Sequence, residues 1–97
     1  MTYFVVSYSY RADNPRLDAL LSQHDAYVRE LASAGRIVAA GPLTDSAGGT
    51  LIIVKLPADT SAADTPAGVL ELLADDPLIK AGVVTQRCVR RWEPARL

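Results

Sequence analysis

Polar and apolar positions in Thr2–Tyr10 alternate in a run dense in β-branched and aromatic residues, without Gly or Pro. The run predicts a strand. Alternation puts Tyr3, Val5, Ser7 and Ser9 on one face and Phe4, Val6, Tyr8 and Tyr10 on the other. The period then changes. Leu17, Leu20, Leu21, His24, Tyr27, Val28 and Leu31 recur at three- and four-residue steps, which predicts a helix over Asn14–Gly35 with one apolar stripe. Pro15 suits its first position, Asp13 or Asn14 supplies a capping oxygen, and Gly35 offers a left-handed stop.

Strand character returns at Arg36–Leu43, where Gly41-Pro42 marks an end or bulge because proline cannot donate to a ladder. Thr44–Gly49 collects turn formers. Thr50–Leu56 is the most strand-like run, apolar on both faces at Leu51-Ile52-Ile53-Val54. Pro57–Pro66 is a loop rich in Ala, Asp, Ser and Thr. Thr65 and Pro66 read as a cap and first position of a short helix that turns Val69, Leu70 and Leu73 inward and ends near Asp75. Pro77–Ala81 holds one further turn, capped by Asp76 and stopped by Gly82, and Val83–Trp92 is the last strand.

The order β-α-β-β-α-β predicts an α+β, ferredoxin-like fold, a four-stranded antiparallel sheet with both helices on one face. Two helices cover one face only. The apolar groups on the second face of Thr2–Tyr10 and Thr50–Leu56 then need a partner, and a homodimer with sheets packed face to face supplies one.

With 97 residues the chain is expected to form one domain, 1–97, with a modest core. An apolar fraction of 49% against 22% charged is that of a globular protein and excludes disorder. Net charge is −1 and the densest basic cluster is Arg87, Arg90 and Arg91, too little to follow a phosphate backbone. No nucleic-acid partner is expected. Cys88 stands alone, which forbids an internal disulfide and leaves no thiolate cluster for zinc; it reads as packing. No apolar run reaches the ~20 residues of a membrane span, and the chain opens on a strand rather than a signal sequence. No membrane association and a cytoplasmic location are the expectations.

His24 is the only histidine, and it sits in the middle of the apolar stripe. A core histidine bonded to a carbonyl is the plain reading. The alternative is a general acid/base, because imidazole changes its proton state nearest neutral pH and an apolar surround favours its uncharged, accepting form. Asp75 and Asp76 fall at the end of the second helix, against its dipole, where a carboxylate needs another partner. Asp76-Pro77 also reads as a cap. A carboxylate on one ring nitrogen would fix the tautomer of His24.

His24, Ala39-Ala40-Gly41-Pro42, Gly48-Gly49, Asp76-Pro77, Gly82-Val83 and Trp92 together resemble the YCII-related (YciI-like) family, in order and over nearly the whole chain. The resemblance implies a dimeric α+β barrel similar to muconolactone isomerases. It also implies a proposed active site pairing a histidine with an aspartate, here His24 and Asp76. Tyr8, Tyr27, Gly41 and Pro42 are candidate substrate-binding residues, with Tyr10 beside them. Arg87 and Arg91 read as solvated.

Two classes of function follow. One is a cofactor-free enzyme that uses His24 and Asp76 for proton transfer on a small carbonyl or lactone substrate, as an isomerase or lyase. The other is a non-catalytic module that binds a small ligand, since no second base, metal cluster or Gly-rich phosphate loop is legible. No metal and no cofactor are expected, because His24 and Asp76 alone would make an incomplete metal site.

Overall fold

The computed structural model describes residues 1–45, 47–57 and 65–95. Their elements are β1 (Thr2–Ser9), α1 (Leu17–Ser33), β2 (Ile37–Pro42), β3 (Thr50–Leu56), α2 (Pro66–Leu72), α3 (Pro77–Lys80) and β4 (Gln86–Trp92). Three antiparallel pairings give one sheet in the order β2-β3-β1-β4. This is the ferredoxin-like arrangement expected from the element order. Most of Pro57–Pro66 lies outside the described residues.

Parity along β1 and β3 organises the core. Phe4, Val6 and Tyr8 of β1 pair directly with Val54, Ile52 and Thr50 of β3, and all six are buried. Directly opposed residues project to the same face, so one side of the sheet carries these groups beneath Leu17, Leu20, His24 and Val28 of α1, Val69 of α2 and Leu78 of α3. A fully buried side chain of this kind contributes on the order of 1.5–3 kcal/mol. Tyr3, Val5, Leu51 and Ile53 project the other way and remain half-exposed, and Trp92 of β4 is 44% exposed. This second apolar face has no cover within the described residues.

Several boundaries differ from expectation for local reasons. The first helix begins at Leu17 rather than near Pro15. Asn14 Oδ1 accepts from the Arg16 N–H at 2.9 Å and its carbonyl accepts from Leu17, so Asn14–Arg16 is spent in a turn. At the other end Gly35 has φ 79°, and the Arg36 N–H returns to the Leu31 carbonyl, the left-handed stop expected there. β2 bulges between Ile37 and Ala39. Thr65 caps α2, accepting from the Gly68 N–H, but that helix ends at Leu72, before Asp75. β4 begins at Gln86, because Val83 and Val84 are drawn against the core and pairing starts where Thr85 bonds Ser9. Cys88 is exposed rather than packed, since β4 is an edge strand and Cys88 lies opposite Ser7 on the uncovered face.

Candidate functional site

The only histidine and one aspartate meet beneath the helices. His24 is buried because it occupies the core-facing stripe of α1 between Leu20 and Val28. Asp76 reaches it from the corner between α2 and α3, where its Oδ1 accepts from the Leu78 N–H at 3.0 Å and caps α3. His24 Nδ1 lies 2.9 Å from Asp76 Oδ1 and 2.8 Å from Oδ2. The cap and the histidine partner, posed as alternatives by the sequence, are one carboxylate in two roles. Asp75 lies apart, exposed, 3.8 Å from Lys80.

Tyr8 supplies a third donor. From β1 its hydroxyl donates to Asp76 Oδ2 at 3.1 Å, and its ring lies 6.2 Å from the imidazole. Burial, then the charge of Asp76 and the hydrogen bond to it, push the Tyr8 hydroxyl well above its ordinary pKa of 10.0. The neutral phenol is therefore held as a donor. A carboxylate has acceptor sites only, and Asp76, 0% exposed, spends its two oxygens on three donors. The histidine proton must then sit on Nδ1, which leaves Nε2 as the free acceptor. No buried side-chain nitrogen or oxygen among the described residues lacks a partner. Nε2, with none, is therefore not sealed in.

His24 lines a cleft of about 280 Å³ between α1 and β2. His24, Leu21, Val28 and Arg29 form the helical wall, and Ala39–Pro42 form the strand wall. Thr50 also lines it, 2% exposed, with its Oγ1 2.8 Å from the Tyr10 hydroxyl. Asp25 and Arg29 are exposed at the rim, which leaves His24 and Thr50 as the buried polar residues of the lining. A wider groove of about 610 Å³, between Met1–Tyr3 and Arg91–Ala95, contains no buried titratable group.

Of the residues singled out from sequence, His24 and Asp76 are brought together, and Gly41 and Pro42 line the cleft. Tyr8 and Tyr27 do not line it. Tyr8 is bound to Asp76, and Tyr27 donates to the Leu72 carbonyl at 2.6 Å, tying α1 to the end of α2. Burial and the nearby Asp75, Asp76 and Glu30 carboxylates raise the Tyr27 pKa. Arg87 and Arg91 are on β4, away from the cleft. Thr50 was missed by sequence reasoning, although its signal was present: it is a polar residue in phase with the inward Ile52, Val54 and Leu56.

Comparison with known proteins decides the lineage. The model of the YCII-related domain matches residues 1–93. The chain belongs to the YCII-related domain family. Among solved structures, this YCII-related chain is similar to 5-chloro-2-hydroxyhydroquinone dehydrochlorinase (TftG) from Burkholderia phenoliruptrix AC1100, determined in complex with 2,5-dihydroxybenzoquinone. The TM-score is 0.71 and identity 22%, over 96% of this chain and 95% of that one. It is also similar to an antibiotic biosynthesis monooxygenase, with TM-score 0.60 and 16% identity over 99% and 100% of the two chains. Likeness at this identity establishes the fold, and chemistry must be argued from the site. No curated protein matches the chain. No helix among the described residues is long and apolar enough to cross a membrane, and no group of three or more His, Cys, Asp or Glu there is placed to hold a metal ion.

Proposed function

We propose that this YCII-related protein is a cofactor-free proton-transfer enzyme of isomerase or lyase type, acting on a small carbonyl or lactone compound. One observation carries the reading: His24, bonded through Nδ1 to a buried carboxylate, lines an open cleft, and Nε2 is its remaining ring nitrogen. A neutral imidazole so held is a general base, worth typically 10²–10⁴-fold in rate. It takes a proton from the carbon beside the carbonyl, and the C–H electron pair moves into the enolate. Asp76 stays ionised and stabilises the imidazolium, as a carboxylate does behind a catalytic histidine. Returning the proton to another carbon gives isomerisation; loss of a leaving group from the enolate gives elimination. One base suffices for either.

The size of the cleft fits a single small ring. The dehydrochlorinase of similar fold is an enzyme, and its ligand 2,5-dihydroxybenzoquinone is a ring of that size with enolic oxygens. The acting unit is proposed to be a homodimer joined through the uncovered sheet face of Tyr3, Val5, Leu51 and Ile53.

The test is proton exchange. A butenolide (an unsaturated five-membered lactone) and 2,5-dihydroxybenzoquinone are incubated with the protein in D₂O. Exchange of the lactone's acidic C–H protons is followed by NMR, and quinone binding by absorbance. Wild type is expected to accelerate the exchange and bind the quinone, whereas His24→Ala, still folded, does neither. Binding without exchange would favour the non-catalytic module, and a His24→Ala variant that merely unfolds would return the residue to the core.

A further inference from the structure

The wall of the cleft opposite the base carries a second polar group that the mechanism above leaves unused. Pro42, Thr50 and Tyr8 form one row across β2, β3 and β1 by direct pairing. They share the helix-facing side of the sheet. At one end of the row Tyr8 holds Asp76; at the other Pro42 lines the cleft; Thr50 stands between.

Proton accounting gives Thr50 its interest. The Tyr10 and Thr50 hydroxyls make one hydrogen bond, to each other at 2.8 Å, in which either can donate. Neither hydroxyl makes another within the described residues. Two hydroxyls carry two protons and the bond uses one. The other has no acceptor among the described residues. Tyr10 does not line the cleft and Thr50 does, so an acceptor arriving there completes the chain Tyr10 to Thr50 to ligand. A buried hydroxyl left without its acceptor is unfavourable, and this pair is poised to donate to a carbonyl or enolate oxygen.

We infer that Thr50, oriented from behind by Tyr10, is the binding residue that holds the carbonyl oxygen of the substrate while His24 Nε2 handles the proton. This deepens the functional reading of His24 and rests on it. The two buried polar residues of the lining then specify the ligand class: a small molecule with an oxygen acceptor close to an acidic C–H, a ketone or lactone able to form an enolate. As the proton passes to Nε2, the C–H pair becomes the enolate double bond and the carbonyl π pair settles on oxygen. Negative charge develops where Thr50 donates. No oxidant or co-reactant is required.

Cyclohexane-1,3-dione, titrated as its enolate and followed by absorbance, serves as the probe for the state after proton transfer. Wild type should bind it with uptake of a proton on His24. Thr50→Val keeps the shape without the hydroxyl and is expected to weaken binding roughly ten- to a hundredfold, as befits a hydrogen bond to a charged oxygen. Thr50→Ser should restore it. Thr50→Val binding like the wild type, while His24→Gln loses the probe, overturns the assignment of Thr50 and leaves the role of His24 standing. If the wild type does not bind, or His24→Gln binds equally well, the functional reading fails and this inference with it. Should Thr50→Val not fold, Tyr10→Phe replaces it: removal of the orienting hydroxyl is expected to weaken binding by about two- to fivefold, and an unchanged Kd overturns the proposal.

Discussion

Tyr8 donates its hydroxyl to Asp76 Oδ2 at 3.1 Å across 68 residues of sequence, so the sheet itself holds the carboxylate that holds His24. Tyr8→Phe removes that donor and little volume. The variant is expected to fold and to lose about 1–3 kcal/mol in urea denaturation, the usual cost of a hydrogen bond to a charged group. Proton exchange at His24 Nδ1, read by NMR, should quicken. Wild-type stability in Tyr8→Phe would show that the bond contributes nothing.

Raised acidity thresholds give a pH dependence. The unfolded chain releases the Tyr8 proton near 10.0, whereas the folded chain keeps it to well above that value. Above pH 10 the unfolded state thus binds fewer protons than the native state, and stability falls as pH rises. Thermal melts should show Tm constant below about pH 9 on account of this group and declining beyond pH 10. In Asp76→Asn the Tyr8 phenolate should form at lower pH, seen in the ultraviolet titration of tyrosine, because a neighbouring negative charge is gone.

Asp76→Ala strands the Leu78 N–H, the Tyr8 hydroxyl and the imidazole N–H in a buried site. A loss of roughly 3–5 kcal/mol is expected, the range for removing one partner of a buried pair. Asp76→Asn, which keeps an acceptor oxygen, should lose less. Denaturant midpoints of the two variants check the order, and equal midpoints would contradict it.

Gly49 is required at its position. Its φ is 123°, and a Cβ there would stand 2.6 Å from the Tyr8 carbonyl oxygen. Gly49→Ala is expected to destabilise the protein by at least about 1–3 kcal/mol, visible as a lowered Tm, and to disturb the start of β3 beside Thr50.

Val5 sits in the middle of the uncovered sheet face, opposite Ile53 and Arg90. If that face is the dimer interface, sedimentation equilibrium should give twice the 10.4 kDa chain mass. Val5→Glu should shift it towards the monomer. A wild type that sediments as monomer would rule the interface out.

Much of this fold was legible because parity and period are local properties. β3 was bounded correctly by its run of Leu, Ile and Val, and β1 to within one residue. Positions set by side-chain competition were not legible: the start of α1 was displaced by the Asn14 turn, and the start of β4 by the burial of Val83 and Val84. His24 stood out as the polar member of an apolar stripe, and Asp76 as a carboxylate wanting a partner. Tyr8 was expected to face a ligand. Parity grouped it with Phe4 and Val6, but only the fold shows that this face lies under the helices and that Asp76 waits there. Thr50 was overlooked because a threonine at a strand start is an ordinary strand residue until its neighbours across the sheet are known.

The His24–Asp76 pair spans 52 residues and draws on elements from both ends of the chain. No segment emerging early from the ribosome contains it. A nascent chain that has made β1, α1, β2 and β3 holds the imidazole without its carboxylate partner, and the proposed proton transfer can begin only after the last third of the sequence has docked. In kinetic terms, the onset of the proposed activity during refolding should lag the appearance of helix and coincide with the final tertiary step.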